Sequence, residues 1–221
     1  MTLNVIKIGG SLTQKPEALK ILCQKLDQLA SKHQIIVIPG GGKFADCVRE
    51  TDKHFSLTNT TTHHMAILGM NQYGLLLANL IPNSQTTDNI KEAKNTKEKI
   101  VIFLPSKFMN SNKKLPETWE ITSDTIAAYI AKKLQANKLV LIKDVDGIFT
   151  NNPKKNTQSK LIEHLTTNNL LETKNKTCID TYIPKILKTA KINCHIINGF
   201  YPDRIEAILN NQKTINTTIS P

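Results

Sequence analysis

The sequence predicts an α/β fold in which helices cover both faces of a mostly parallel sheet. Three observations carry that reading. Compact apolar runs of strand length alternate along the chain with segments of helical period. Alternation of this kind implies right-handed crossovers between parallel strands. Glycine stands at four of the strand ends, the place where such sheets keep their ligands.

The elements run in order. "LNVIKI" is a compact apolar strand ending at Gly9-Gly10. Pro16 opens a helix running to about Ser31, with Leu19, Leu22, Leu26 and Leu29 at helical spacing. "QIIVIP" is a second strand, and Phe44 to Thr51 has a helical pattern. A long helix is expected from about Thr61 to Leu80. Residues 82–98 are polar and weakly patterned, with room for a short strand and helix. "KIVIFLP" (Lys99–Pro105) reads as a third buried strand, and "SKFMNSNKKLPETWE" as a loop. "TSDTIAAYIAKKL" is a helix with a strong start, "KLVLIKD" a fourth strand, and "VDGIFTNNPKKNTQS" a long turn-rich connection. "CIDTYIPKILKTAKI" is expected to be helical, "NCHIING" a fifth strand, Asp203 to Leu209 a helix and "KTINTTIS" a closing strand.

Composition bounds the function. The 221 residues suffice for one core, or one core with two lobes. Nothing approaches the roughly 20 apolar residues of a membrane span, and "MTLNVIKIGGSL" is not patterned as a signal peptide. Cys23, Cys47, Cys178 and Cys194 show no C-x-x-C spacing, which suits a reducing cytosol better than a zinc site or disulfide framework. The net charge of +11 comes from dispersed lysines, in groups such as Lys113-Lys114, Lys132-Lys133 and Lys154-Lys155, with only two arginines, Arg49 and Arg204. Nucleic-acid readout favours arginine and interleaved aromatics. The charge is therefore read as a solvated surface or a field for small anions.

The strand ends carry the chemical signal. Gly9-Gly10-Ser11 come directly after the first strand, with Lys7 just before them, and Gly40-Gly41-Gly42 after the second. Asp144, Asp146 and Gly147 come after the fourth, and Asn198-Gly199 after the fifth. Free backbone N–H groups in series near a helix start form a concave anion site. The set reads as a phosphate-handling crevice. It is not a Walker loop, because Gly42-Lys43 is followed by Phe44 rather than a hydroxyl residue, and no G-x-G-x-x-G is present.

"VIKIGGSL", "IIVIPGGGKFAD", "WEITSDTIAAYIAKKL", "LIKDVDGIF" and "CIDTYIPKIL" resemble, in order, the motifs of the amino acid kinase superfamily over about residues 3 to 200. Within it, "LPETWEITSDTIAAYIA" and "IINGFYPDRI" look most like the archaeal-type [5-(aminomethyl)furan-3-yl]methyl phosphate kinases of methanofuran biosynthesis. The resemblance implies a three-layer αβα sandwich in a single domain over residues 1–221. It places the phosphate acceptor over about residues 1–120 and ATP with Mg²⁺ over about 121–221. It also implies a homo-oligomer. Isopentenyl phosphate, a nucleoside monophosphate or an amino-acid carboxylate are alternative acceptors, and a non-catalytic nucleotide-binding protein is the alternative of another class.

The resemblance assigns roles by position. Lys7 and Lys185 flank the transferring phosphoryl group, and Asp124 holds both lysines. Pro184 would kink the helix start that aims Lys185. Gly9, Gly10, Lys143, Asp144, Asp146, Gly147, Phe149 and Lys185 are the nucleotide-binding candidates. Gly40, Gly41, Gly42, Asp46, His63, Met65, Trp119 and Thr122 are the acceptor-binding candidates, with His64 an alternative to His63. No side chain is assigned to the metal, which is expected to arrive on ATP's phosphates. Bland readings stand beside these: Lys7 as an end-of-strand lysine reaching solvent, Lys185 as part of a solvated helix face with Lys188 and Lys191, and Asp144–Gly147 as a type I turn with Asx bonding. Asp124 could only cap its helix. Asp46 either meets an ammonium on the acceptor or decorates a helix's first turn, where acids are favoured.

Overall fold

The computed structural model describes residues 2–96, 100–153, 155–172 and 177–221. The chain runs β1 (Leu3–Ile8), a 3-10 turn (Gly10–Gln14), α1 (Pro16–Leu29), β2 (Gln34–Pro39), α2 (Gly42–Phe55) and α3 (Asn59–Leu80). It continues with β3 (Ser84–Thr87), α4 (Ile90–Asn95), β4 (Ile100–Phe103), α5 (Pro105–Ser111), α6 (Ser123–Leu134) and β5 (Lys138–Lys143). It ends with β6 (His164–Thr166), α7 (Thr167–Glu172), α8 (Ile183–Ala190), β7 (Cys194–Asn198), α9 (Asp203–Leu209) and β8 (Thr217–Ser220).

One sheet takes these strands in the order β3-β4-β2-β1-β5-β7-β8-β6. Neighbours are parallel except β7 and β8. Side chains alternate between two layers, as the pleat demands. Val5, Ile36, Leu139 and Leu141 enter a core with Ile126 and Ile130 of α6 and Leu187 of α8. Ile6, Ile8, Val140 and Ile142 enter the opposite core with Leu22 and Leu26 of α1 and Ile205 of α9. Helices thus cover both faces, giving the expected αβα sandwich.

That alternation positions the chemistry. Lys7 shares its parity with Val5, and Lys143 shares its parity with Leu139 and Leu141. Both lysines therefore leave the carboxyl ends of adjacent parallel strands toward α6. Lys7 pairs in register with Leu141, so Lys143 stands one pleat further along. The chain passes from β1 to β2 on one side and from β5 toward β7 on the other. Such a switch point opens a crevice at the carboxyl ends of its two strands.

The structure departs from the expected elements in four places. Pro105 begins a helix rather than a loop, because proline suits the first helical turn and Met109 turns inward. "CIDTY" is not helical; α8 starts only at Ile183. The segment after the turn-rich connection holds β6 and α7, too short for a sequence pattern to show. The second glycine cluster does not end before its helix: Gly42 is the first residue of α2. Expectations at Lys99, at Lys154 and over residues 97–98 lie outside the described residues.

Candidate active site

Two cavities meet over the β1–β5 switch point. The smaller, about 450 Å³, lies among the 3-10 turn, α2, α3 and the start of α6. The larger, about 830 Å³, runs along the connection from Asp144 to Pro153. Both sit within the range of small-molecule sites. Lys7, Gly10, Ser11, Lys143, Thr177 and Cys178 line both, so the cavities share a floor.

Asp124 organises that floor. Its Oδ2 accepts a hydrogen bond from Lys143 Nζ at 2.7 Å. Its Oδ1 lies 2.9 Å from Lys7 Nζ, an ion pair rather than a well-angled hydrogen bond. The carboxylate and Lys7 are buried, and the Lys143 side chain is 12% exposed. Asp124 occupies the first turn of α6, where the helix dipole also favours an anion. Burial by itself would raise its pKa, but the two ammoniums override burial and hold it at about 2. Burial lowers Lys7 below the ordinary lysine value, with Asp124 opposing. Burial also presses Lys143 downward, but Asp124 outweighs it and leaves the group raised. The trio carries one net positive charge with little water around it.

A carboxyl held below its ordinary value stabilises the fold above about pH 4, and that contribution disappears as pH falls toward 2. The loss is expected to be on the order of 2 kcal/mol. Thermal melts between pH 5 and pH 2 should show it in the wild type and not in Asp124→Asn. Equal acid slopes in the two proteins would refute the pairing.

Asp180, in the wall of the smaller cavity, fastens two helix starts to the site. Its Oδ2 accepts from Thr122 N (3.1 Å), Thr122 Oγ1 (2.7 Å) and Thr125 N (3.1 Å). Its Oδ1 accepts from Thr125 Oγ1, Tyr182 N (3.2 Å) and Ile183 N (2.9 Å). One carboxylate thus satisfies otherwise orphaned donors at the starts of both α6 and α8. Thr122 is itself the N-cap of α6, receiving the Asp124 N–H at 3.3 Å.

Residues 2–198 match the amino acid kinase family. The chain belongs to that family. Its relatives include a [5-(aminomethyl)furan-3-yl]methyl phosphate kinase from Methanocaldococcus jannaschii, 35% identical over 98% of this chain and 97% of that protein. A uridylate kinase from Methanococcus aeolicus is 27% identical over 98% and 99% of the two chains. Among solved structures, uridylate kinase from Archaeoglobus fulgidus superposes over the full length of both chains with a TM-score of 0.78 at 21% identity. UMP kinase from Ureaplasma parvum gives 0.79 at 19% identity, covering 100% of this chain and 99% of that one. The chain is accordingly a phosphotransferase. Among the described residues, no helix is long and apolar enough to cross a membrane.

For this amino acid kinase, the predicted residues fall into three groups. Lys7, Gly10, Gly41, Gly42, Asp46, His63, Trp119, Thr122 and Asp124 line the smaller cavity. Gly9, Lys143, Asp144, Gly147 and Phe149 line the larger one. Gly147 has φ +155°, and a Cβ there would lie 2.3 Å from Thr217 Oγ1, so only glycine fits. His63 rather than His64 faces the smaller cavity; His64 Nε2 pairs with Glu117 at 3.2 Å. Desolvation lowers the His63 pKa.

The third group lies outside the linings of both cavities. Lys185 is exposed, lies 4.7 Å from the Tyr182 ring centre and lines neither cavity. Asp124 therefore holds Lys7 and Lys143, not Lys7 and Lys185. Pro184 is buried in the first turn of α8, directing the next residue outward. Asp146 lines neither cavity and accepts hydrogen bonds from Asn198 Nδ2 (3.2 Å) and Arg204 Nη1. Gly40 and Met65 line neither cavity; Gly40 packs on the backbone of Ile8 and Gly10, and Met70 stands in the wall instead.

Sequence reasoning missed Arg49 and Asp180. Arg49 lines the smaller cavity and pairs with Asp46 at 2.7 Å, one turn earlier on α2. Its guanidinium also lies 4.8 Å from the Trp119 ring centre, and Trp119 Nε1 donates to Asp52 at 3.3 Å. The i, i+3 spacing of Asp46 and Arg49 was available as a signal. The long-range bonds of Asp180 were not.

Proposed function

We propose that the protein transfers the γ-phosphoryl group of ATP to [5-(aminomethyl)furan-3-yl]methyl phosphate, giving the diphosphate. The observation that carries this reading is the Lys7–Asp124–Lys143 bridge on a floor common to two cavities. Phosphoryl transfer needs little covalent help; it needs donor and acceptor held in line and charge neutralised on the moving group. The larger cavity takes ATP and the smaller takes the acceptor. Gly10, Gly41 and Gly42 leave backbone room beside the acceptor's phosphate. Lys7 and Lys143 are the two cations on the shared floor, and Asp124 fixes where their ammoniums sit. In this reading residues 1–120 supply most of the acceptor's cavity and residues 121–221 most of ATP's.

The choice of acceptor is supported by the 35% identical relative of that name and by a cavity wall that offers both a carboxylate and an aromatic face. Among the described residues no group of three His, Cys, Asp or Glu could hold a metal, and Asp124 already faces two ammoniums. Mg²⁺ fits here as an ion carried on ATP's phosphates, where it would neutralise charge. All four cysteines are free thiols, which supports a cytoplasmic setting. Leu68 and Leu75, each more than half exposed on α3, support self-association of the chain.

The test is ADP release with Mg²⁺-ATP against a panel of acceptors. Turnover is expected with the aminomethylfuran phosphate, and at least about 10²-fold lower kcat/KM with UMP, isopentenyl phosphate and N-acetylglutamate. Turnover of N-acetylglutamate without any phosphomonoester would overturn the reading.

A further inference from the structure

We infer that Asp46 and the face of Trp119 form a subsite for an organic cation, and that Arg49 is its internal occupant, displaced when a cationic acceptor enters. The inference rests on the proposed acceptor for its natural ligand, but the subsite is argued from the chain's own geometry. Asp46 and Arg49 stand three residues apart on α2, so both side chains leave the same face. The guanidinium meets the two features that recognise a cation: a carboxylate at 2.7 Å and an aromatic face at 4.8 Å from its ring centre. Asp52 fixes the ring's orientation from the next turn through Trp119 Nε1 at 3.3 Å. All three members of the subsite line the smaller cavity.

Arg49 is held there loosely. Its side chain is 48% exposed and that of Asp46 is 68% exposed, so solvent screens their attraction. An exposed i, i+3 pair of this kind opens at little cost, and the long arginine stem can carry its head into water. An acceptor with an ammonium at the end remote from its reacting phosphate would meet a preformed carboxylate and a flat apolar face. A neutral analogue would gain neither and would compete with Arg49 at a disadvantage.

Asp46→Asn and Arg49→Gln distinguish an occupant from an anchor, because both residues are exposed and neither holds the fold. The kinetic readout is the ratio of kcat/KM for the aminomethylfuran phosphate to that for its hydroxymethyl analogue. Asp46→Asn is expected to lower this ratio about ten-fold. Arg49→Gln is expected to lower KM for the amine acceptor about three-fold by vacating the site. An Arg49→Gln variant that binds the amine acceptor more weakly than wild type would show that Arg49 is an anchor, and would overturn the inference. So would an unchanged ratio in Asp46→Asn.

Trp119 is the single tryptophan, so its fluorescence reports the subsite without turnover. Titration with furfurylamine should quench it at saturation, at lower concentration in Arg49→Gln and at higher concentration in Asp46→Asn. If that pattern holds while the aminomethylfuran phosphate is not phosphorylated, the proposed acceptor is wrong and the cation subsite stands. If Arg49→Gln shows no saturable quenching, the subsite is refuted whatever the acceptor.

Discussion

Replacing Lys143 by methionine is expected to lower kcat by about 10²–10³-fold, the usual effect of losing one preorganised charge at a reacting centre. Methionine keeps the stem's bulk at the end of β5 and removes the ammonium. Asp124 then faces Lys7 alone, and the shared floor changes from one net positive charge to none. Steady-state kinetics with saturating Mg²⁺-ATP provide the measurement. The comparison that gives it force is Lys185→Met, expected to change kcat by no more than about two-fold, as for an exposed substitution without a partner at the site. Full activity in Lys143→Met would remove Lys143 from the chemistry. A Lys185→Met loss as large as that of Lys143→Met would show that α8 carries its lysine inward during turnover.

Gly10→Ala is expected to damage the enzyme as severely by a different route. A Cβ on Gly10 would lie 2.1 Å from Gly42 N and 2.2 Å from Gly42 Cα. Both are backbone atoms, and Gly42 holds φ +55° at the start of α2. No side chain can yield, so the turn after β1 and the start of α2 must separate. Overpacking of this kind costs about 1–3 kcal/mol, read as a lower melting temperature. Displacing the wall of the smaller cavity by about 1 Å relative to the floor costs about 10²-fold in kcat. Measuring kcat well below the melting transition keeps the two effects apart. A variant with wild-type kcat would show that the glycine contact serves packing alone.

Much of this was legible in the sequence because the relevant signals are local. The β1, β2 and β5 strands are uninterrupted apolar runs, and the glycines at the ends of β1 and β2 mark where the backbone must lie bare. The strong start of α6 located Asp124 at a helix N-terminus without any knowledge of packing. Which lysine Asp124 would hold was harder. Lys185 sits on a short helix whose rotation about its own axis is set by burial of Ile183, Pro184 and Leu187. That packing turns Lys185 outward. Lys143 was reachable by counting, since its parity with Leu139 and Leu141 puts it on the α6 side of the sheet.

The placement of Asp146 and Met65 outside the two linings has the same origin. Asp146 sits in a turn whose composition suits ligand contact, but Arg204, 58 residues later, claims its carboxylate. Met65 and Met70 both belong to α3, and only the packing of α3 against α2 decides which of them reaches the cavity. Arg49 looked like an exposed helix residue because it is one. Its meaning depends on Trp119, brought beside α2 by the loop that leads into α6.

Asp180 has a consequence for how the molecule opens. One carboxylate collects donors from the first turns of two helices that lie more than fifty residues apart in the chain. Neither helix start can fray without releasing the other's cap, so the two form one cooperative unit of local unfolding. The backbone amides of Thr125 and Ile183 should then exchange with solvent hydrogen at a common opening free energy. Any fluctuation that frees α8 also loosens the turn that aims Asp124 at its two lysines.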